Sequence, residues 1–204
     1  MKLFYSPGAC SLSPHIVALE AGIPLQLEKV DLGAKRTEGS QDFWQVNPKG
    51  YVPALLLDNG ELLTEGPAIV QYLADLKPQS GLAPANGTLP RYRQQESLGY
   101  INSELHKTYS PLFNPATPAE VRQERKDYLR RRYAPLDAVL AKQDWLLGDQ
   151  FTAADAYLFT VTNWARMVDL DLSEFPALMA FQKRVAARPK VKEAMLAEGL
   201  MQAA

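Results

Sequence analysis

The chain has 204 residues, 47% of them apolar and 22% charged, with a formal net charge of −1. That length holds one large domain or two small ones with ample core, and the near-neutral balance argues against capture of nucleic acid. Cys10 is the only cysteine, which excludes an internal disulfide framework and fits a reducing compartment.

Taken in chain order, Met1 to Tyr5 reads as a short strand and Ser6-Pro-Gly8 as a turn. From Ser11, the residues Leu12, Ile16, Val17 and Leu19 return at helical spacing, with Pro14 suited to the first turn and Gly22 to the stop. Cys10 therefore falls at or just before a helix N-terminus, where N–H groups and the dipole favour a thiolate. The alternative is a small buried filler, since cysteine is among the most buried residue types.

Leu25 to Leu32 alternates as a second strand, and Gly33 to Gly39 is polar and loop-like. Gln41 to Val46 fits a short helix, stopped by Asn47-Pro48-Lys49-Gly50. Ala54 to Leu57 is a brief strand, and Asp58-Asn59-Gly60 turns it into Glu61-Leu62-Leu63. Glu65-Gly66-Pro67 then opens a helix carrying Ile69, Val70, Tyr72 and Leu73. These segments give a strand, helix, strand, hairpin and closing helix.

Prolines and glycines crowd the stretch from Lys77 to Pro90, which marks a linker. Beyond it Tyr92–Tyr109, Pro118–Lys142, Thr152–Val168, Pro176–Ala187 and Val191–Ala197 all suit helices. The expected architecture is an α/β N-terminal domain over residues 1–80, built on a mixed four-stranded sheet. A linker over 81–87 leads to an all-α C-terminal domain over 88–204. The charge run Arg122 to Arg132 reads as a solvated helix face, because Glu124 and Asp127 interleave with the bases. The N-terminus lacks a secretory apolar region and no apolar run is long enough for a bilayer, so the expected setting is cytoplasmic, with no membrane partner.

Val52-Pro53 precedes the strand Ala54–Leu57, and an X-Pro bond there is a plausible cis site. A cis bond would present the Val52 N–H and C=O to an extended peptide. Together with a thiol at the first helix start, this resembles the thioredoxin-fold arrangement. The motif Cys10-Ser-Leu-Ser13 has serine where a second cysteine would close a disulfide, so such a protein must use an external thiol. In Thr64-Glu65-Gly66-Pro67, helix-start N–H groups suit a carboxylate while Glu65 suits an ammonium, the two charges of an α-amino acid head group. Phe151-Thr152-Ala-Ala-Asp155 has the spacing of a capping box and a structural role.

The chain resembles the glutathione S-transferases, specifically the bacterial beta class. The resemblance rests on Tyr5-Ser-Pro-Gly-Ala-Cys-Ser-Leu-Ser-Pro-His15, Asn47-Pro-Lys-Gly-Tyr-Val-Pro53, Leu63-Thr-Glu-Gly-Pro-Ala-Ile-Val-Gln-Tyr72, Ser103-Glu-Leu-His-Lys107 and Gly148-Asp-Gln-Phe-Thr-Ala-Ala-Asp155, and it runs end to end. It implies a thioredoxin-like N-terminal domain, a helical C-terminal domain and a homodimer, with glutathione as co-substrate and no metal. It places the glutathione cysteinyl backbone on Val52 beside cis-Pro53, with Tyr51 in the same binding loop. The γ-glutamyl group falls at Glu65 and Gly66, the glycyl carboxylate at Lys35, and the sulfur at Ala9 and Cys10. Ser103, Glu104, His106 and Lys107 match the helix segment lining the site, some of them from the neighbouring subunit. Gly99 stands where asparagine is usual, which puts one cross-subunit hydrogen bond in doubt.

The implied activity is conjugation of glutathione to small hydrophobic electrophiles in detoxification, with Cys10 able to form a mixed disulfide with glutathione. Tyr5, Cys10 and Ser11 are candidate donors to the thiolate, and His106 a candidate proton acceptor. Tyr109, Phe113 and Trp164 are expected to line the electrophile pocket. Two other readings stay open: thiol–disulfide exchange through Cys10, resolved by a second glutathione, and a non-catalytic binding protein on the same fold. The natural electrophile leaves no motif.

Overall fold

The computed structural model describes residues 1–202. The chain divides into two compact units, one formed by Met1–Ala83 with the stretch from Ala187 onward, the other by Pro84–Ala186.

The first unit is a mixed sheet covered by helices. Its strands are β1 (Lys2–Tyr5), β2 (Gln26–Asp31), β3 (Arg36–Thr37), β4 (Ala54–Leu56) and β5 (Leu62–Thr64), in the order β3-β2-β1-β4-β5. β1 runs parallel to β2, while β1 with β4, β4 with β5 and β2 with β3 are antiparallel. The sheet has five strands where the sequence suggested four. The extra one, β3, lies in the expected polar loop: the Asp31 carboxylate accepts the Gly33 and Ala34 N–H groups and turns the chain back. Those two hydrogen bonds hold the Asp31 carboxyl below its ordinary range. Two-residue ladders leave no periodicity to read.

The alternation of β1 explains the core. Phe4 lies on one face with Val30, Phe43, Val52 and Ala54. Leu3 and its partner Leu55 are buried without solvent exposure in the opposite register. Helix α1 (Leu12–Glu20) packs on α3 (Gly66–Asp75), and the short α2 (Phe43–Val46) is capped by the Asp42 carboxylate, which accepts the Trp44 N–H at 3.0 Å.

The second unit is helical: α4 (Leu89–Tyr100), a π-helical turn (Ile101–His106), α5 (Lys107–Tyr109), a 3₁₀ turn (Ser110–Phe113), α6 (Ala119–Leu140), α7 (Ala153–Thr162), a second 3₁₀ turn (Asn163–Val168) and α8 (Pro176–Ala186). The α7 start is a capping box in which the buried Asp155 carboxylate accepts the Thr152 N–H, the Thr152 hydroxyl and the Leu146 N–H, each at 2.8 Å.

The sequence carried the helical domain to residue 204, but α9 (Pro189–Ala197) belongs with the first unit, packed on α1. Arg188 at its start forms a two-pronged pair with Glu20 at 2.7 and 2.8 Å. Helical periodicity shows that α9 has an apolar face, but not which helix covers it.

Candidate active site

Cys10 lies in the turn between β1 and α1, directly before the N-cap residue Ser11. The Ser11 hydroxyl accepts the Ser6 N–H at 3.1 Å and donates to the Ser6 carbonyl at 3.2 Å, closing the turn. Ser11 is fully buried in doing so. This corrects its expected role as a donor to a thiolate, because its proton is already committed to the main chain. Farther round the turn, the Gly8 N–H donates to Glu198 Oε2 at 2.9 Å, and Glu198 Oε1 meets His15 Nδ1 at 2.9 Å. A buried His–Glu pair thus anchors the loop that carries Cys10, and local sequence gave no sign of it.

The Cys10 thiol donates to the Val52 carbonyl at 3.1 Å, and the Val52–Pro53 bond is cis. A carbonyl oxygen brings no proton, so this contact holds as S–H···O and suits the neutral thiol, opposite to the thiolate the helix start favours. Among the described residues no acceptor meets the Val52 N–H, although Val52 is buried. The buried Asn47 shapes the segment before it: its amide donates to the Tyr51 carbonyl at 2.8 Å and its oxygen accepts the Lys49 N–H at 3.1 Å. Ala9, one residue before the thiol, is half-buried against the cluster that contains Val52.

Lys35 is no loose surface lysine. It sits at φ 55°, and its ammonium donates to the Gly50 carbonyl at 2.9 Å. The same ammonium lies 5.5 Å from the Trp44 ring centroid and 5.7 Å from that of Tyr51, itself 68% exposed. Gly50 has φ +67°, and a Cβ there would stand 2.5 Å from the Trp44 ring, so only glycine lets indole and ammonium close over this loop.

Glu65 is held at φ 71°, an uncommon setting for a residue with a side chain. Its carboxylate meets Lys49 Nζ at 2.9 Å, and the same ammonium donates to Thr64 Oγ1 at 2.9 Å. The pair is exposed. An ammonium already shares this carboxylate, so an incoming one must share or displace it. Gly66 opens α3; Pro67 has no N–H, and the Ala68 and Ile69 N–H groups donate to the Glu65 carbonyl, each at 3.0 Å, which leaves the Gly66 N–H as the first-turn donor without an acceptor among the described residues. Tyr5 is nearly buried at the end of β1; burial first, then the negative charges of Glu198 and Glu38, push its phenol up, so it acts only in protonated form.

In the second unit His106 ends the π-helical turn, and its Nδ1 lies 2.6 Å from Tyr157 Oη. The Trp164 ring packs edge-on at 4.8 Å from the imidazole and at 5.7 Å from both Tyr109 and Phe113. Of the expected electrophile-pocket residues only Phe113, 42% exposed, presents surface. Tyr109 is 0% exposed and its hydroxyl is bound to that of Tyr133 at 2.9 Å, so it is core rather than pocket lining. Burial, with that neighbouring phenol, holds Tyr109 well above its ordinary range. Trp164 is buried behind its aromatic neighbours.

Glu104 also departs from its expected role. Its Oε2 accepts the Tyr128 hydroxyl at 2.6 Å and pairs with Arg132 at 2.8 Å, an intrahelical-unit bridge to α6. The Ser103 hydroxyl turns back onto the Gly99 carbonyl at 3.0 Å, and Lys107 is exposed.

The models of the glutathione S-transferase N-terminal and C-terminal domains match residues 8–76 and 100–189. The chain is 49% identical to the glutathione S-transferase GstA of Escherichia coli O157:H7, over 98% of this chain and all of that one. The chain belongs to the glutathione S-transferase family. Among solved structures it resembles a sphingomonad glutathione S-transferase complexed with glutathione, at 48% identity and a TM-score of 0.95, covering 98% of this chain and 100% of that one. It resembles the bacterial beta-class enzyme of Sphingomonas chungbukensis at 46% identity and the same TM-score, with the same coverage. The bacterial beta class of the family is where this chain falls.

Proposed function

We propose that this chain is a glutathione transferase that binds glutathione through the Val52 main chain and joins its sulfur to small hydrophobic electrophiles. The observation that carries this reading is the Val52 N–H, which has no acceptor among the described residues and belongs to the residue whose carbonyl meets Cys10, as pairing with an extended thiol peptide would require. In this reading the glycyl carboxylate pairs with Lys35 and the γ-glutamyl group takes the Gly66 N–H and Glu65. The α-ammonium shares that carboxylate with Lys49. Pro53, Tyr51 and Ala9 shape the cleft, and Ser103, Glu104, His106 and Lys107 are its helical contribution. For Glu104 the task is then to hold the helix rather than to touch the ligand.

The chemistry needs the glutathione S–H bond broken, its proton passed to a base, and the sulfur lone pair directed at the electrophilic carbon. With a chlorinated aromatic, chloride leaves with its bonding pair. Tyr5 O–H is the proposed donor to the thiolate, joined by the Cys10 S–H once it turns from the Val52 carbonyl, and His106 is the proposed acceptor. The single cysteine fits a reducing, cytoplasmic setting. The proposed assembly is a homodimer.

The test is titration calorimetry with glutathione, followed by conjugation of a chlorinated nitrobenzene and reduction of a mixed disulfide by wild type and Cys10→Ala. Conjugation that survives Cys10→Ala while disulfide reduction vanishes supports transfer as the main role. Loss of both activities with binding intact assigns Cys10 to both. A wild type that binds no glutathione overturns the proposal.

A further inference from the structure

Two Asn-Gly pairs stand in this chain, Asn59-Gly60 and Asn86-Gly87, and both are exposed. That dipeptide carries a chemistry of its own. With no Cβ on the glycine, its main-chain nitrogen can reach the asparagine side-chain amide carbon and attack it. Local sequence gives the two pairs the same reactivity, and the fold separates them.

Asn59 lies in the hairpin loop between β4 and β5, closed by the Leu57 N–H on the Glu61 carbonyl at 2.8 Å. The Gly60 N–H, whose nitrogen would attack, donates to the Leu57 carbonyl at 3.0 Å. Asn59 Oδ1 accepts the Glu61 N–H at 3.0 Å, and Nδ2 donates to Glu61 Oε2 at 3.1 Å. Nucleophile and target are thus held by separate partners, and attack must first break those hydrogen bonds.

Asn86 and Gly87 form the middle of the turn from Ala85 to Thr88. There the Thr88 N–H and hydroxyl both donate to the Ala85 carbonyl, at 3.4 and 2.7 Å. Gly87 has φ 78°, the setting of the third residue of a type II turn. Among the described residues neither the Gly87 N–H nor the Asn86 side chain has a hydrogen-bond partner. Both reacting groups are free to meet.

We propose that Asn86 is a site of spontaneous deamidation and that the hairpin protects Asn59 from the same reaction. The Gly87 nitrogen gives up its proton and bonds to Asn86 Cγ. The Cγ–Nδ2 bond breaks, and Nδ2 leaves with the bonding pair and that proton as ammonia. Water then opens the cyclic imide at either carbonyl, giving aspartate or isoaspartate, and nothing is oxidised or reduced. Isoaspartate carries the chain through its side-chain carbon, which lengthens the main chain by a methylene and opens the turn. Thr88 is the N-cap of α4 and its hydroxyl accepts the Arg91 N–H at 3.4 Å, so the loss falls on the first turn of that helix.

The test ages the full-length protein in warm, mildly alkaline buffer, once folded and once unfolded in urea. Cleavage after Glu38, Glu61, Glu65 and Glu96 places Asn59 in peptide 39–61 and Asn86 in peptide 66–96. In the folded protein the mass gain from NH to O should accumulate about tenfold faster, or more, in 66–96 than in 39–61. In urea the hairpin is gone and the two rates should converge. Asn86→Gln should remove the gain in 66–96, and the Arg91 amide should exchange hydrogen faster in aged protein than in fresh.

Equal rates in the folded protein overturn the proposal, as does a faster Asn59 or an Asn86 that stays intact. So does a gain in 66–96 that survives Asn86→Gln. Rates that stay apart in urea would show that the difference comes from flanking sequence and overturn the protective role of the hairpin. Unchanged Arg91 exchange in fully aged protein would overturn the effect on α4.

Discussion

The Cys10 thiol donates to the Val52 carbonyl, 3.1 Å away and 42 residues farther along the chain. Cys10→Ser keeps a donor at that point, and a hydroxyl is a better one than a thiol. Thermal stability should stay within about 1 kcal/mol of wild type. A glutathione adduct on the protein, read by intact mass after exposure to oxidised glutathione, should disappear. A wild type that takes up no adduct under the same exposure would remove the mixed-disulfide reading of Cys10.

Asn47 is buried and bonds the Tyr51 carbonyl and the Lys49 N–H, so it fixes the loop that leads to Val52. Asn47→Ala leaves those main-chain groups without partners at a cost of about 1–3 kcal/mol. The expected result is a lower melting temperature together with glutathione affinity weakened by about tenfold, measured by calorimetry. Wild-type affinity in a folded variant would separate Asn47 from the binding loop.

Glu198 joins His15 to the Gly8 N–H inside the first unit, with no exposure of its side chain. Glu198→Ala strands both partners in the interior and should destabilise the protein by about 3–5 kcal/mol. Hydrogen exchange of the amides in the turn from Ser6 to Ser11 should rise with it. Protection equal to wild type there would show the turn to be held by the Ser11 clamp alone.

Asp155 is fully buried, and burial raises its carboxyl to about 6 although its hydrogen bonds with Leu146 and Thr152 oppose the shift. The unfolded chain releases this proton near 3.8, whereas the folded one keeps it to about 6. Between those values the native state binds more protons, so this group's contribution is full below the lower value and declines as pH rises through the upper. The stability of wild type relative to Asp155→Asn should therefore be larger at about pH 4.5 than at pH 7. Urea unfolding at the two pH values measures it, and a difference that grows with pH would contradict the assignment.

Gly99 is exposed near the end of α4, and a Cβ there meets nothing within 4 Å. Gly99→Ala should stabilise the protein by about 0.5–1 kcal/mol by removing backbone freedom from the unfolded chain. Differential scanning calorimetry would register this as a rise of a few degrees in Tm.

Much of the candidate site was legible because its parts are local. The turn and helix start around Cys10, the Val52-Pro53 strand entry, Glu65 before Pro67 and the Thr152–Asp155 box are each written within a few residues. The same spacing patterns misled at Tyr109, Glu104 and Ser11. Their residue types fit a site, but periodicity does not say which face is already filled, and each is engaged elsewhere: Tyr109 by Tyr133, Glu104 by Tyr128 and Arg132, Ser11 by Ser6.

Sequence by itself determined the order of elements, the two-part architecture and the place of the thiol before the first helix. Those features follow from backbone periods of two and 3.6 residues and from turn chemistry. Tertiary structure alone decided that α9 returns to α1, that Lys49 already occupies Glu65, and that Tyr157 meets His106 from 51 residues away. Partners so far apart leave no local pattern. Only the packing of complementary faces brings them within hydrogen-bond reach, and only then is the Cys10 thiol given the Val52 carbonyl to hold.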